Sequence, residues 1–242
     1  MRNTCASLPA LLLCVGFLAG CVSTQVTQQT AMTEPNLPRP NQIWVYDFVA
    51  APRDMPTDSS LAGRLGAPST PLTAEEIETG RKYGGMIAER LVADIQNMGM
   101  PATLAGPGSA PQVGDAVIRG YIISTEGGNA KGFAKRFVIG FGAGATEMDT
   151  VVEGFAVTPQ GLRKLGSGTL TSSGNSAPGM MLPAAAAIAS GSPIGLIVVG
   201  GAKIIGATTG RSTLEGRANA TADEIAAQLK IRFKDRGWIA QS

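Results

Sequence analysis

"IWVYDFVA", residues Ile43 to Ala50, is the stretch on which the fold turns. It is β-branched and aromatic throughout, the composition of a buried first strand. A long run follows from Ala51 to Leu72, with Pro52, Pro56, Pro68 and Pro71. Loops of that length are uncommon in compact domains. This one is expected to lie over the sheet as surface chain.

The chain then turns helical. Thr73-Ala74-Glu75-Glu76 is a capping box, in which the Thr oxygen accepts from the third amide and Glu76 reaches back to the cap. Ile77, Tyr83, Ile87, Leu91, Ile95 and Met98 recur mostly at helical steps, with charged residues largely on the rest of the wheel. Gly99 takes the left-handed stop position and Pro101 forbids continuation. Gly80, Gly84 and Gly85 weaken the middle of the helix but permit close approach to a sheet.

Further on, Pro101 to Ala105 forms a short second strand. "AVIRGYIIS", Ala116 to Ser124, is apolar at most positions and reads as a central strand. Met148 to Val157 and Leu162 to Ser172 form a hairpin through "TPQG", a type I turn pattern with Pro159 and Gly161. A last helix is expected from the capping box Thr221-Ala222-Asp223-Glu224. Ile225, Leu229 and Phe233 give its apolar stripe. Gly237 stops it, and Trp238 folds back on the last turn. The expected fold is α+β: a mixed, mostly antiparallel sheet of about five strands, with the two amphipathic helices on one face. A Gly/Ala-rich apolar insertion, 177–210, separates hairpin and last helix. Within it Pro178 to Ala202 carries no charge, but Pro183, Pro193 and several glycines oppose one continuous helix.

The amino-terminal segment reads as an address. Arg2, the apolar run Leu8 to Leu18, and Leu18-Ala19-Gly20 before Cys21 have the form of a secretory signal peptide. L-A-G-C ending such a run resembles the lipobox of bacterial lipoproteins. That resemblance implies diacylglycerol on the Cys21 sulfur, cleavage between Gly20 and Cys21, and N-acylation, for instance by palmitate. Val22 and Ser23, with no Asp after the cysteine, favour the outer membrane by the same resemblance. The expected division is a signal peptide over 1–20, a lipidated tether over 21–42, rich in Gln, Thr and Pro, and one domain over 43–242.

Composition narrows the chemistry. The chain has 3 cysteines and no histidine. Cys5 and Cys14 leave with the signal and Cys21 is lipidated, so the mature domain has no thiol. Ser-His-Asp chemistry, Cys-His chemistry and His-ligated zinc are excluded. Of 20 Lys and Arg, loss of Arg2 leaves 19 against 18 Asp and Glu, which gives no case for nucleic acid.

"RFVIGFGAGATEM", Arg136 to Met148, spaces Gly140, Gly142 and Ala145 like a dinucleotide-binding turn. Such a turn needs a helix after it and an acid about 20 residues on. "TEMDTVVEGFAV" reads as strand, and Leu162 and Arg163 supply no acid. Arg136, Gly140, Gly142 and Gly144 therefore read as a backbone bend or interaction point, with no phosphate. Lys131, Lys135 and Arg136 form a small basic cluster. No catalytic residue, metal or cofactor is expected.

Three stretches carry a family resemblance: "IWVYDFVAAPRDMPTDSSL", "KRFVIGFGAGATEM" and "GWI" near the end. From Gln42 to Ile239 the chain resembles bacterial lipoproteins of the domain-of-unknown-function 4410 family. The resemblance implies an envelope location and a compact α/β domain; it brings no activity and no catalytic residue. The order of elements also resembles, more weakly, the periplasmic domains of curli-secretion-channel and penicillin-binding-protein-activator lipoproteins.

The expected function is that of a non-enzymatic, periplasm-facing lipoprotein that binds or scaffolds another cell-envelope component. Its expected partners are the lipid bilayer, through acylated Cys21, and an envelope protein. Two alternatives stand beside it. One is a homo-oligomeric component of an envelope export or assembly complex, using 177–210. The other is a cell-wall hydrolase using two of Asp47, Asp58, Glu126, Glu147, Asp149 and Glu153, about 5–9 Å apart.

Overall fold

The computed structural model describes residues 23–30, 37–59, 61, 71–126, 136–139, 147–173 and 214–241. The fold is α+β, as the patterns predict. In chain order come β1 (Ser23–Thr30), β2 (Ile43–Tyr46), a 3-10 turn (Pro52–Asp54), α1 (Ala74–Asn97), β3 (Ala102–Ala105) and β4 (Ala116–Glu126). Then follow β5 (Arg136–Ile139), β6 (Glu147–Thr158), β7 (Gly161–Ser173) and α2 (Leu214–Asp235). One mixed sheet runs β1-β7-β6-β4-β2-β3, with β5 on β4. The β3-β2-β4 portion is parallel and every other pairing is antiparallel. Joining parallel β2 and β3 requires a long crossover, which α1 supplies.

All five expected strands are present, and two more join them, giving seven. One is β5. The other is β1, in the stretch read as a free tether. Its composition is too polar for a buried strand, yet backbone pairing with β7 runs from Ser23↔Ser173 to Thr30↔Ser167. An edge strand needs ladder partners more than apolar side chains. Val26 of β1 packs against the core.

The first helix matches its reading closely. Thr73 Oγ1 accepts from the Glu76 amide at 3.2 Å, and Glu76 Oε2 accepts from the Thr73 amide at 2.8 Å. Gly99 follows with φ +81°. The second helix starts earlier than expected: it begins at Leu214, so Thr221 is no cap. Thr221 lies inside the helix and is fully buried, and Ala218 and Ala222 are buried in the same core. Small residues at this spacing let α2 pack closely, and that burial overrides the local cap signal.

Both helices bury against one face. Ile43, Val45, Ile118, Ile122, Met148 and Leu170 of the sheet form one cluster with Ile87, Leu91, Ile95, Ile225 and Phe233 of the helices. Arg90 bridges the helices at their surface, 3.0 Å from Asp223. On the opposite face Tyr121, Ile123 and Val151 form a smaller cluster with Leu61, while Val49 and Met55 pack against it. The described part of the proline-rich loop thus lies over the sheet. No helix among the described residues is long and apolar enough to cross a membrane. The insertion 177–210 lies outside the described residues.

β2 ends at Tyr46, short of Ala50. The Phe48 amide donates to the Gly84 carbonyl of α1 at 3.2 Å instead of to a strand. Pairing then resumes, with the Val49 amide on Gly120 O and the Ile122 amide on Val49 O, both at 2.8 Å.

At the carboxyl end of α2, Gly237 adopts φ +67° and the Trp238 amide caps Phe233 O at 2.9 Å. The two rings meet at 5.5 Å and Trp238 is 8% exposed. Trp238→Ala should lower unfolding stability by about 3 kcal/mol or more, read by denaturant titration. A loss under about 1 kcal/mol would show that the fold-back contributes little.

Candidate functional site

Strand alternation sorts β4 cleanly. Ile118 and Ile122 face the helices, so Arg119, Tyr121 and Ile123 face the other way. On β6, Val151, Glu153 and Phe155 share that second face. Arg119 lies directly opposite Glu153, and Tyr121 opposite Val151.

Lys164 reaches this face through a bulge. The β6–β7 register shifts between Gly154↔Gly166 and Phe155↔Lys164, so Leu165 is the extra residue. An unbroken ladder would set Lys164 opposite Ala156, on the helix side. The bulge sets it beside Glu153, and Lys164 Nζ donates to Glu153 Oε1 at 2.8 Å. Glu153 is fully buried, so this pairing is what makes its charge tolerable there. Ser59, from the overlying loop, donates to its other oxygen at 3.5 Å.

Arg119 is the most constrained cation of the face. Its side chain is 15% exposed and donates to Asp58 at 2.8 Å. The guanidinium carbon lies 5.5 Å from the Phe155 ring centre and 5.7 Å from that of Tyr46. Stacking and ion pairing together fix the planar fork in place.

This arginine lines a cleft of about 350 Å³, together with Tyr46, Asp47, Asp54, Pro107 and Tyr121. The cleft sits where β2 and β3 end, the crevice position that open sheets with parallel strands favour. Asp54 is held by two bonds from Arg81, at 2.9 and 3.0 Å. Burial raises the Asp47 carboxyl above its ordinary range, and the charge of Glu89 adds to that rise. A ligand here would meet an aromatic face, a fixed guanidinium and an acidic rim. A second cavity, about 100 Å³ and mostly apolar, lies between the β6–β7 glycines and α2. Among the described residues no group of three His, Cys, Asp or Glu is placed to hold a metal ion.

Of the residues singled out in the sequence, the structure brings Asp47 and Asp58 to this site. Gly20, Cys21, Gly140, Gly142 and Gly144 lie outside the described residues, as do Lys131 and Lys135. Arg136 opens β5, with its backbone paired opposite Glu126. The segment after the glycines is strand β6, as its β-branched composition indicates. Of the scattered acids, Asp47 lines the cleft, Asp58 holds Arg119, and Asp149 and Glu153 are buried. Sequence reasoning passed over Arg119, Tyr121, Tyr46 and Lys164. The available signal was the lone cation inside an otherwise apolar strand.

Tyr121 gives this site a spectroscopic handle. It is fully buried, and burial first, then the neighbouring Glu153 charge, push its hydroxyl up from 10 to about 12. The neutral phenol is the form the fold favours. Its contribution to stability is therefore complete below pH 10 and is lost as pH rises through about 12. Absorbance titration should show a tyrosine transition delayed to high pH, and Tyr121→Phe should delete it. Persistence of that late transition in Tyr121→Phe would contradict this environment.

Comparison with curated proteins returns no match. Among solved structures, a PelC dodecamer from Paraburkholderia phytofirmans is 18% identical, with 66% of this chain and 85% of that chain covered, at a TM-score of 0.29. At that score the likeness bears on neither fold nor function here. The sequence pattern of the family described as "Domain of unknown function (DUF4410)" matches residues 43–191, more than half of the chain, and the chain belongs to that family.

Proposed function

We propose that the protein is a membrane-anchored cell-envelope lipoprotein that acts by binding, without catalysis. On this account Cys21 carries the lipid, the domain faces the periplasm from the outer membrane, and the cleft of Arg119 receives a segment of a partner protein. The L-A-G-C sequence after an apolar run supports the anchor. The observation that carries the binding role is the fixed Arg119 guanidinium in the wall of a cleft of about 350 Å³. That volume is within the range of about 300–1,000 Å³ typical of ligand sites. Tyr46 and Pro107 offer apolar contact, and the arginine fork offers oriented donors, a mix suited to a peptide carrying a carboxylate or exposed carbonyls. The acids nearby support binding more than acid–base work: Asp54, Asp58 and Glu153 are each engaged by a cation.

Two measurements test this. Intact mass of the membrane-extracted protein should show a chain beginning at Cys21 with three acyl chains, and Cys21→Ser should remain unprocessed. A photoreactive residue in place of Tyr46, in the acylated full chain, should give discrete envelope-protein adducts that Arg119→Lys abolishes. Adducts indifferent to Arg119→Lys, or none at all, would remove the cleft as the binding site.

A further inference from the structure

The register of β1 fixes more than an extra strand. Ser23, its first residue, lies opposite Ser173, the last of β7, and Ser173 lies opposite Glu147, the first of β6. Glu126, the last of β4, lies opposite Arg136, the first of β5. Ile123 of β4 pairs with both Ile139 of β5 and Asp149 of β6, so all these strand ends belong to one end of the sheet. The β6–β7 turn, Thr158 opposite Gly161, marks the other end.

Cys21 is two positions before Ser23. Two residues span at most about 7 Å. A free tether of twenty residues would instead hold its ends roughly 25 Å apart on average and impose no orientation. Pairing of β1 with β7 removes that freedom, and Val26 anchors the strand on the core.

We propose that the sheet end bearing Ser23, Ser173, Glu147 and Glu126 is the membrane-facing surface of the protein, and that β1 is the clamp that holds it against the lipid headgroups. This rests on acylation of Cys21. The hairpin turn then points away from the membrane, with Gly161 about 40 Å from Ser173 along β7 at about 3.3 Å per residue. The cleft stands back from the surface, because Tyr121 precedes the end of β4 by five residues, about 17 Å.

The test uses the acylated full chain in vesicles of phosphatidylethanolamine and phosphatidylglycerol containing a headgroup spin-labelled phosphatidylcholine. Cys21 is the one cysteine beyond the signal, so single cysteines can be added at Ser173→Cys or Gln160→Cys and labelled with a small fluorophore. The Ser173→Cys label should be quenched several-fold more than the Gln160→Cys label. Thr24→Pro with Gln25→Pro breaks the β1 ladder and should bring the two labels to similar quenching. Equal quenching in the unaltered chain, or a difference that survives the prolines, overturns the proposal when intact mass confirms acylation. A mass without acyl chains would instead overturn the lipoprotein reading beneath it.

Discussion

Phe48 is wedged between two glycines, and the arrangement of the domain follows from that wedge. A Cβ on Gly120 of β4 would occupy the space of the Phe48 ring, and a Cβ on Gly84 of α1 would collide with the Phe48 carbonyl. The ring is 1% exposed. Phe48 is therefore in close contact with both elements, its backbone with the helix at Gly84 and its ring with the strand at Gly120. β2 breaks there because the Phe48 amide is given to the helix. The chain re-forms its pairing at Val49, having turned one residue out of the ladder.

Two consequences reach the cleft. The break leaves Asp47 at the end of β2, on the cleft wall instead of inside a continuous ladder. It also sends the following chain across the second face, where Asp58 and Ser59 meet Arg119 and Glu153. The helix face is dominated by apolar contact. The other face is a compromise: Tyr121, Ile123, Val151 and Leu61 exclude water, while paired charges line their margin. A buried carboxylate such as Glu153 adds little net stability over an apolar replacement of its shape. Its two hydrogen bonds, however, hold Lys164 and Ser59 of the overlying loop beside it.

Much of this was legible residue by residue. The capping box at Thr73, the stop at Gly99 and the 3.6-residue spacing describe α1 because all those signals are local. The turn at Thr158 to Gly161 is local too. Thr221 misled because its cap signal is equally local, and the burial of Ala218 and Ala222 against the core outweighed it. β1 was missed because polar composition argues against burial, whereas an edge strand depends on the backbone of β7. The ion pairs of the second face were out of reach for a different reason. Lys164 meets Glu153 only because of one extra residue at Leu165, and a register shift between strands leaves no mark in either strand alone. Glycines at 80, 84 and 85 did signal close packing, but nothing local distinguishes Gly84, which meets the Phe48 backbone, from Gly85, which has room for a Cβ.

That distinction among neighbouring glycines gives the most direct test. Alanine normally stabilises a helix interior over glycine by about 1 kcal/mol. Among the described residues a Cβ on Gly85 would meet only Asp47 Oδ1, at 3.9 Å, an ordinary contact, whereas one on Gly84 would press on the Phe48 backbone. Equilibrium denaturation of the two variants should therefore give opposite signs: Gly85→Ala stabilising by up to about 1 kcal/mol, Gly84→Ala destabilising by about 1–3 kcal/mol. Stabilisation by both would contradict the claim that the domain is organised around Phe48 held between Gly84 and Gly120.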